Sequence, residues 1–259
     1  MKIAVLVSVG RHPVSGVARY SRNDAAALTL ALSLARTNGA TLDVLHAGDP
    51  SNAALKEYLA LGARSVEVLE MPPEADPAPP LAARLRGYEL VLTGTCAEGG
   101  FDSGMLPYRV AHALAVPLVG AAVELALHDG CAQVRQFMPK GVRRRVEVRL
   151  PALIAVHPLA NAATSYAYAR LREGTIGCAA APAADAARAC DADRAAWTIR
   201  AASAKPVRLA AAEKRSGHAR MLSATTTESR GGSVVIEGSS VEKAQVILAY
   251  LREHQLVDY

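Results

Sequence analysis

The sequence predicts an α/β fold: a mostly parallel twisted sheet with helices on both faces, a β-hairpin extension and a C-terminal wrapping arm. Three observations predict it. Short apolar, β-prone runs alternate with segments of helical period from residue 2 to residue 117, the pattern of βαβ crossovers. Inside that stretch, residues 88–117 (YELVLTGTCAEGGFDSGMLPYRVAHALAVP) read as strand, small-residue loop and helix. After Pro117 the pattern turns to hairpins, and from Ala162 onward the chain looks less like a self-contained domain. The expected division is an α/β nucleotide-binding domain over 1–161 and an arm with a terminal helix over 162–259.

Taken in order, Lys2 to Val9 is the first buried strand and Gly10 to Ser21 an irregular loop. Asn23 or Asp24 caps the next helix, since either side chain can accept from its first N–H groups. Leu28, Leu32 and Ala35 mark its inner face, and Asn38-Gly39 ends it. Thr41 to His46 is a second strand. Gly48-Asp49-Pro50-Ser51 forms a turn with a helix cap before a short helix on Leu55, Leu59 and Ala60. Arg64 to Glu70 is a third strand. Met71 to Pro80 is proline-rich, exposed and irregular, and Leu81 to Arg86 is a short helix.

Tyr88 to Thr93 is the central strand. From Met105, the positions Leu106, Val110, Ala113 and Leu114 recur at helical spacing. Val119 to Leu127 and Cys131 to Phe137 flank His128-Asp129-Gly130, a hairpin signal. Lys140-Gly141 turns the chain into Arg143 to Arg149, and Leu150 to Val156 is a buried strand. Thr164 to Glu173 has helical character. Ile176 to Lys205 is alanine-rich, with Trp197 and Ile199 its main large apolar residues, and cannot bury enough surface alone to offset its ordering entropy. Arg230 to Ile236 reads as a glycine-led strand. Ser239 or Ser240 then caps an amphipathic helix bearing Val241, Ala244, Ile247, Leu248 and Leu251.

Composition narrows the class. A hydrophobic share of 51% with only 4% aromatic residues implies an interior built of alanine and aliphatics. The net charge of +5 is too small to argue for nucleic acid unless clustered. The one basic cluster, Arg143, Arg144, Arg145 and Arg149, has no interleaved aromatics. It reads as a charge-guarded sheet edge or as a contact for an acidic partner. The four cysteines form no CxxC pair and no metal-ligand spacing, which fits thiols in a reducing cytoplasm. Met1 to Val9 lacks the features of a signal peptide, and no apolar run reaches the length of a membrane span.

The loop from Gly94 to Gly104 sits where parallel sheets hold ligands, ahead of a helix start whose N–H groups and dipole favour an anion. It contains neither GxxxxGK[ST] nor GxGxxG, and its glycines can also serve geometry alone. No nucleophile, acid–base pair or metal set is visible. Cys96 reads as a small filler, and His112 as packing. The residues alone therefore lead to an α/β domain with a nucleotide pocket and a partner-wrapping arm.

The run VLVSVGR at Val5 to Arg11, Asn23 at a helix start and GARSVEVLE from Gly62 carry a resemblance, as do GTCAEGGFDSG from Gly94, LPALIAV at Leu150 to Val156 and GGSVVIEGSSVEKAQVILAYL from Gly231. Together and in order they resemble the β subunit of electron transfer flavoproteins, over nearly the whole chain. The fold implied is the adenine nucleotide α-hydrolase-like sheet. The resemblance implies an electron-carrier subunit without catalytic residues of its own, paired with an α subunit that holds most of the FAD. It further implies a structural AMP, an electron-donating dehydrogenase, and an electron-transfer flavoprotein:quinone oxidoreductase as acceptor. The positions matching the family's AMP contacts are Ser8, Asn23, Asp24, Ala25, Ala26 and Ala47. To these the loop adds Gly94, Thr95, Cys96, Ala97, Asp102, Ser103, Gly104, Met105 and Leu106. The sequence departs from the family pattern at Asn23-Asp24-Ala25, where an aromatic is usual, and over Ala162 to Glu173, where the dehydrogenase-docking motif is not recognisable. An ordinary acyl-CoA dehydrogenase is therefore not the expected donor. The alternative weighed is a compact adenine-nucleotide-binding regulatory module resembling universal stress proteins.

Overall fold

The computed structural model describes residues 1–12, 14–73, 75–99, 104–180, 198, 216–218, 221, 238–253 and 256–257. The chain falls into two compact units, Met1–Trp197 and Thr198–Tyr259. The first unit contains a nine-stranded sheet and a small two-stranded ribbon. Its strands are β1 (Lys2–Leu6), β2 (Val9–Arg11), β3 (Ala18–Tyr20), β4 (Thr41–Gly48), β5 (Ser65–Glu70), β6 (Leu90–Gly94), β7 (Leu118–His128), β8 (Cys131–Phe137), β9 (Arg143–Arg149), β10 (Ala152–Val156) and β11 (Thr175–Ala180). Its helices are α1 (Arg22–Asn38), α2 (Leu55–Ala60), α3 (Ala78–Arg84), α4 (Leu106–Leu114) and the single turn α5 (Arg170–Glu173).

The large sheet runs β11-β5-β4-β1-β6-β10-β7-β8-β9. Every pair from β11 to β7 is parallel, and β7-β8 and β8-β9 are antiparallel. Alternation along β1 shows how the layers form. Ile3 and Val5 face one core with α1 and α2, while Ala4 and Leu6 face another with α3 and α4. Burying Ile3, Val5 or Leu6 in this way is worth about 1.5–3 kcal/mol of transfer free energy each. The sheet order reverses between β1 and β6, since the chain moves outward from β1 to β4 and β5 on one side and from β6 to β10 on the other. That reversal opens a crevice beyond the carboxyl ends of β1 and β6.

Several expectations are corrected. The first strand stops at Leu6 and not at Val9. Val9–Arg11 pairs instead with Ala18–Tyr20, so the supposed irregular loop is largely a hairpin. Ser21 caps α1, its hydroxyl accepting from the Asp24 N–H at 3.3 Å; neither Asn23 nor Asp24 does so. The inner face of α1 is Ala27, Leu28, Ala31 and Leu34, with Leu32 and Ala35 half-buried beside it. Ser51 closes a turn on Asp49, but α2 begins at Leu55 without a side-chain cap. The proline-rich stretch is not wholly irregular: Pro79 and Pro80 lie in the first turn of α3, where a missing N–H costs nothing. Ala113 is exposed, and Pro107, Val110 and Ala111 form the buried face of α4. Thr164 to Glu173 holds only the one turn of α5.

The alanine-rich segment lies against the sheet at its start. Its start, Thr175–Ala180, is an edge strand parallel to β5. The expected boundary after residue 161 thus falls inside the first unit. At the opposite edge, β9 carries the arginine cluster on the last strand, as a charge-guarded edge should. Arg143 lies 4.4 Å over the Phe137 ring, which itself stacks on His157 at 4.3 Å. In the second unit α6 (Ser240–Glu253) begins with a capping box. Ser239 Oγ accepts from the Glu242 N–H at 3.3 Å, and Glu242 Oε2 accepts from the Ser239 N–H at 2.7 Å. The strand expected over Arg230 to Ile236 lies outside the described residues.

Candidate functional site

The crevice is assembled from four pieces: the residues after β1, the first turn of α1, the end of β4 and the loop after β6. Asp24 joins them. Its Oδ2 accepts from the Ser8 N–H at 2.8 Å and from the Ser8 hydroxyl at 2.6 Å. Its Oδ1 accepts from the Gly94 N–H at 2.9 Å. Burial pushes this carboxyl up to about 7, against the opposing pull of these hydrogen bonds. Gly94 has to lack a side chain here, because a Cβ would come within 2.4 Å of Asp24 Oδ1.

The surrounding groups brace this centre. The Tyr58 hydroxyl donates to the Ser8 carbonyl at 2.6 Å and accepts from the Ser21 N–H at 2.9 Å, tying α2 to both ends of the β1–α1 connection. The Ser8 hydroxyl accepts from the Glu98 N–H at 3.1 Å, so the loop after β6 is held a few residues farther along as well. Glu98 takes a salt bridge from Arg19 on β3 at 3.0 Å. Asn23 Nδ2 donates to Cys96 Sγ at 3.0 Å. His46, buried at the end of β4, has Nδ1 at 2.9 Å from the Val7 carbonyl, which assigns the proton to Nδ1. Burial holds its pKa below the ordinary imidazole value.

Of the residues expected at the site, the structure brings Ser8, Asn23, Asp24, Gly94 and Cys96 into direct contact. Ala25 and Ala26 are buried in the first turn of α1, facing the core. Ala47 is half-buried at the end of β4, and Thr95 and Ala97 are half-buried in the loop. Gly104, at a φ of 70°, turns the loop into α4, with Met105 and Leu106 following. Asp102 and Ser103 lie outside the described residues. Sequence reasoning missed Ser21, Tyr58, His46, Glu98 and Arg19. Only Ser21, a serine just ahead of a helical run, left a local signal.

The two helix starts differ. At α1 the Ser21 hydroxyl meets the Asp24 N–H, and the first turn carries an acidic residue, Asp24. At α4 the first turn carries no acidic residue, and Pro107 stands within it. The N–H groups of Leu106 and Tyr108 have no intrahelical acceptor, so that end suits an anion. Among the described residues, no cluster of His, Cys, Asp or Glu is arranged to hold a metal ion. No helix among them is long and apolar enough to cross a membrane.

Comparison with known proteins adds two findings. The family model described as "Electron transfer flavoprotein domain" matches residues 15–198. A curated relative from Chromohalobacter salexigens, "Electron transfer flavoprotein subunit beta", is 37% identical over 266 residues, covering 99% of this chain and 96% of the relative.

Proposed function

Because the chain belongs to the electron transfer flavoprotein family, we infer that it works as the β subunit of a heterodimer that carries electrons. The observation behind this is the likeness to a β subunit along almost the whole chain. The partner is an α subunit, and the flavin belongs to the pair. FAD, when bound, supplies the electron-accepting chemistry, and this chain contributes binding surface and shape. In this reading the subunit has no catalytic residues of its own. It serves an electron-donating dehydrogenase on one side and an electron-transfer flavoprotein:quinone oxidoreductase on the other. The thiols of Cys96, Cys131 and Cys178, none in a disulfide, fit a cytoplasmic setting.

The same reading places a structural AMP in the crevice between β1 and β6. The residues fit such a group unevenly. The donors at the β1 end are filled by Asp24, whereas the first turn of α4 offers N–H groups and, among the described residues, carries no acidic side chain. Leu106 and Tyr108 would hold the phosphate through their backbone. Gly94 to Ala97 would flank the nucleoside. The second unit, Thr198–Tyr259, serves as the docking arm, and the exposed Val241 and Ile247 of α6 suit an apolar contact.

Co-expression with an α subunit tests the reading. The expected product is a yellow heterodimer, while this chain purified alone carries little flavin. An isolated monomer with stoichiometric FAD of its own would overturn it. Mass spectrometry of nucleotide released on denaturation checks for AMP; ATP in its place would favour the regulatory-module alternative.

A further inference from the structure

We propose that a cleft at the amino edge of β6 and β10 binds a small neutral aromatic ring bearing a hydroxyl group, in its simplest form a phenol. The site goes beyond the electron-carrier reading and does not depend on it. It lies at the opposite end of the sheet from the crevice, between the last turns of α3 and α4. Leu85, Tyr88, Val91 and Ala152 are buried in its walls, and Leu114 and Val116 are half-buried there. Its volume is about 180 Å³. An apolar cavity of roughly 150 Å³ is enough to take up a benzene ring.

The aromatic wall is fixed by its own partners. The Tyr88 hydroxyl donates to Asp43 Oδ2 at 2.6 Å and accepts from Arg84 at 3.1 Å. Glu67 holds the same guanidinium through two hydrogen bonds, at 2.8 and 2.7 Å. Tyr88 therefore offers the cleft apolar ring surface, with its hydroxyl already engaged. Of the residues lining the cleft, Arg86 alone is charged; it is exposed and stands just past the end of α3. Its guanidinium supplies a hydrogen-bond donor at the rim. Leu114, the last residue of α4, brings the negative end of that helix dipole to the same place. A carboxylate would gain at Arg86 and lose at α4, and an ammonium group the reverse. A hydroxyl suits both, because its oxygen can accept from Arg86 while its proton meets a carbonyl at the helix end. The lining residues include no nucleophile and no acid–base pair, so the ligand is held there and not transformed.

The test is a titration of the full-length chain with phenol, followed by amide NMR. Phenol is expected to shift the amides of Gly87, Val91 and Val116 in a saturable way, with a Kd of about 1 mM. Benzoate and benzylamine are expected to bind at least about fivefold more weakly. Arg86→Met should weaken phenol about fivefold, the worth of one hydrogen bond, and leave toluene binding unchanged. Val116→Phe fills the cleft and should abolish binding of both rings. If Val116→Phe fails to fold, the comparison of phenol with toluene in Arg86→Met decides. Shifts that do not saturate, or that are not centred on the cleft, overturn the proposal. So does benzoate or benzylamine binding as tightly as phenol, or a phenol affinity that Arg86→Met leaves untouched.

Discussion

A methyl group added at Gly94 would meet Asp24 Oδ1 at 2.4 Å and Asn23 Cβ at 2.7 Å, both in the first turn of α1. Gly94→Ala is therefore expected to cost about 1–3 kcal/mol, read as a lower urea midpoint at unchanged slope. Asp24 gives a pH signature. Its folded-state pKa is raised from 3.8 to about 7, so the folded chain holds a proton that the unfolded chain releases. That stability is fully present below about pH 4 and is lost as pH rises through 7, by on the order of 2–4 kcal/mol. Denaturation of wild type and Asp24→Asn between pH 4.5 and 8 should show the slope in wild type and its reduction in the variant. A parallel pair of curves would refute this. The sequence located this residue as one of two candidates to cap α1, a role that Ser21 fills instead. Its partners at Ser8 and Gly94 are 16 and 70 residues away, and no local pattern records such distances.

At the scale of single elements, turns were legible and edges were not. Asp129-Gly130 and Gly39 announce themselves because their positive φ values demand those residue types. β11 does not, since Thr175–Ala180 has no strong alternation and becomes a strand only by pairing with β5. The β2–β3 ribbon was hidden for the same reason. Beside the far edge, the stack of Arg143 on Phe137 on His157 can be tested directly. The His157 pKa lies below the ordinary value because of burial and, secondarily, the Arg143 charge. Arg143→Ala lessens both effects, so the His157 titration followed by NMR should move to higher pH; a fixed or falling pKa would count against the stack.

For the molecule as a whole, alternation of strands and helices predicted the parallel sheet and its two helical layers, and the position of the crevice followed from the loop after the central strand. The sequence could not show how far the sheet extends. A chain cut after residue 161 lacks β11 and the segment whose Ala167 N–H donates to the Ala60 carbonyl at 3.0 Å. It leaves the β5 edge unpaired. Residues 1–161 are therefore expected to melt at least about 5 °C below residues 1–197 and to scatter light on heating; equal midpoints would show that β11 adds nothing.

The Tyr58 hydroxyl and the Gly94 amide both come from later in the polypeptide than the β1–α1 stretch that they hold. During synthesis, the opening βα unit emerges with its serine and aspartate still lacking their distant partners. The crevice is completed only after residue 94 has left the ribosome, so the opening βα unit cannot fix the geometry of this connection by itself.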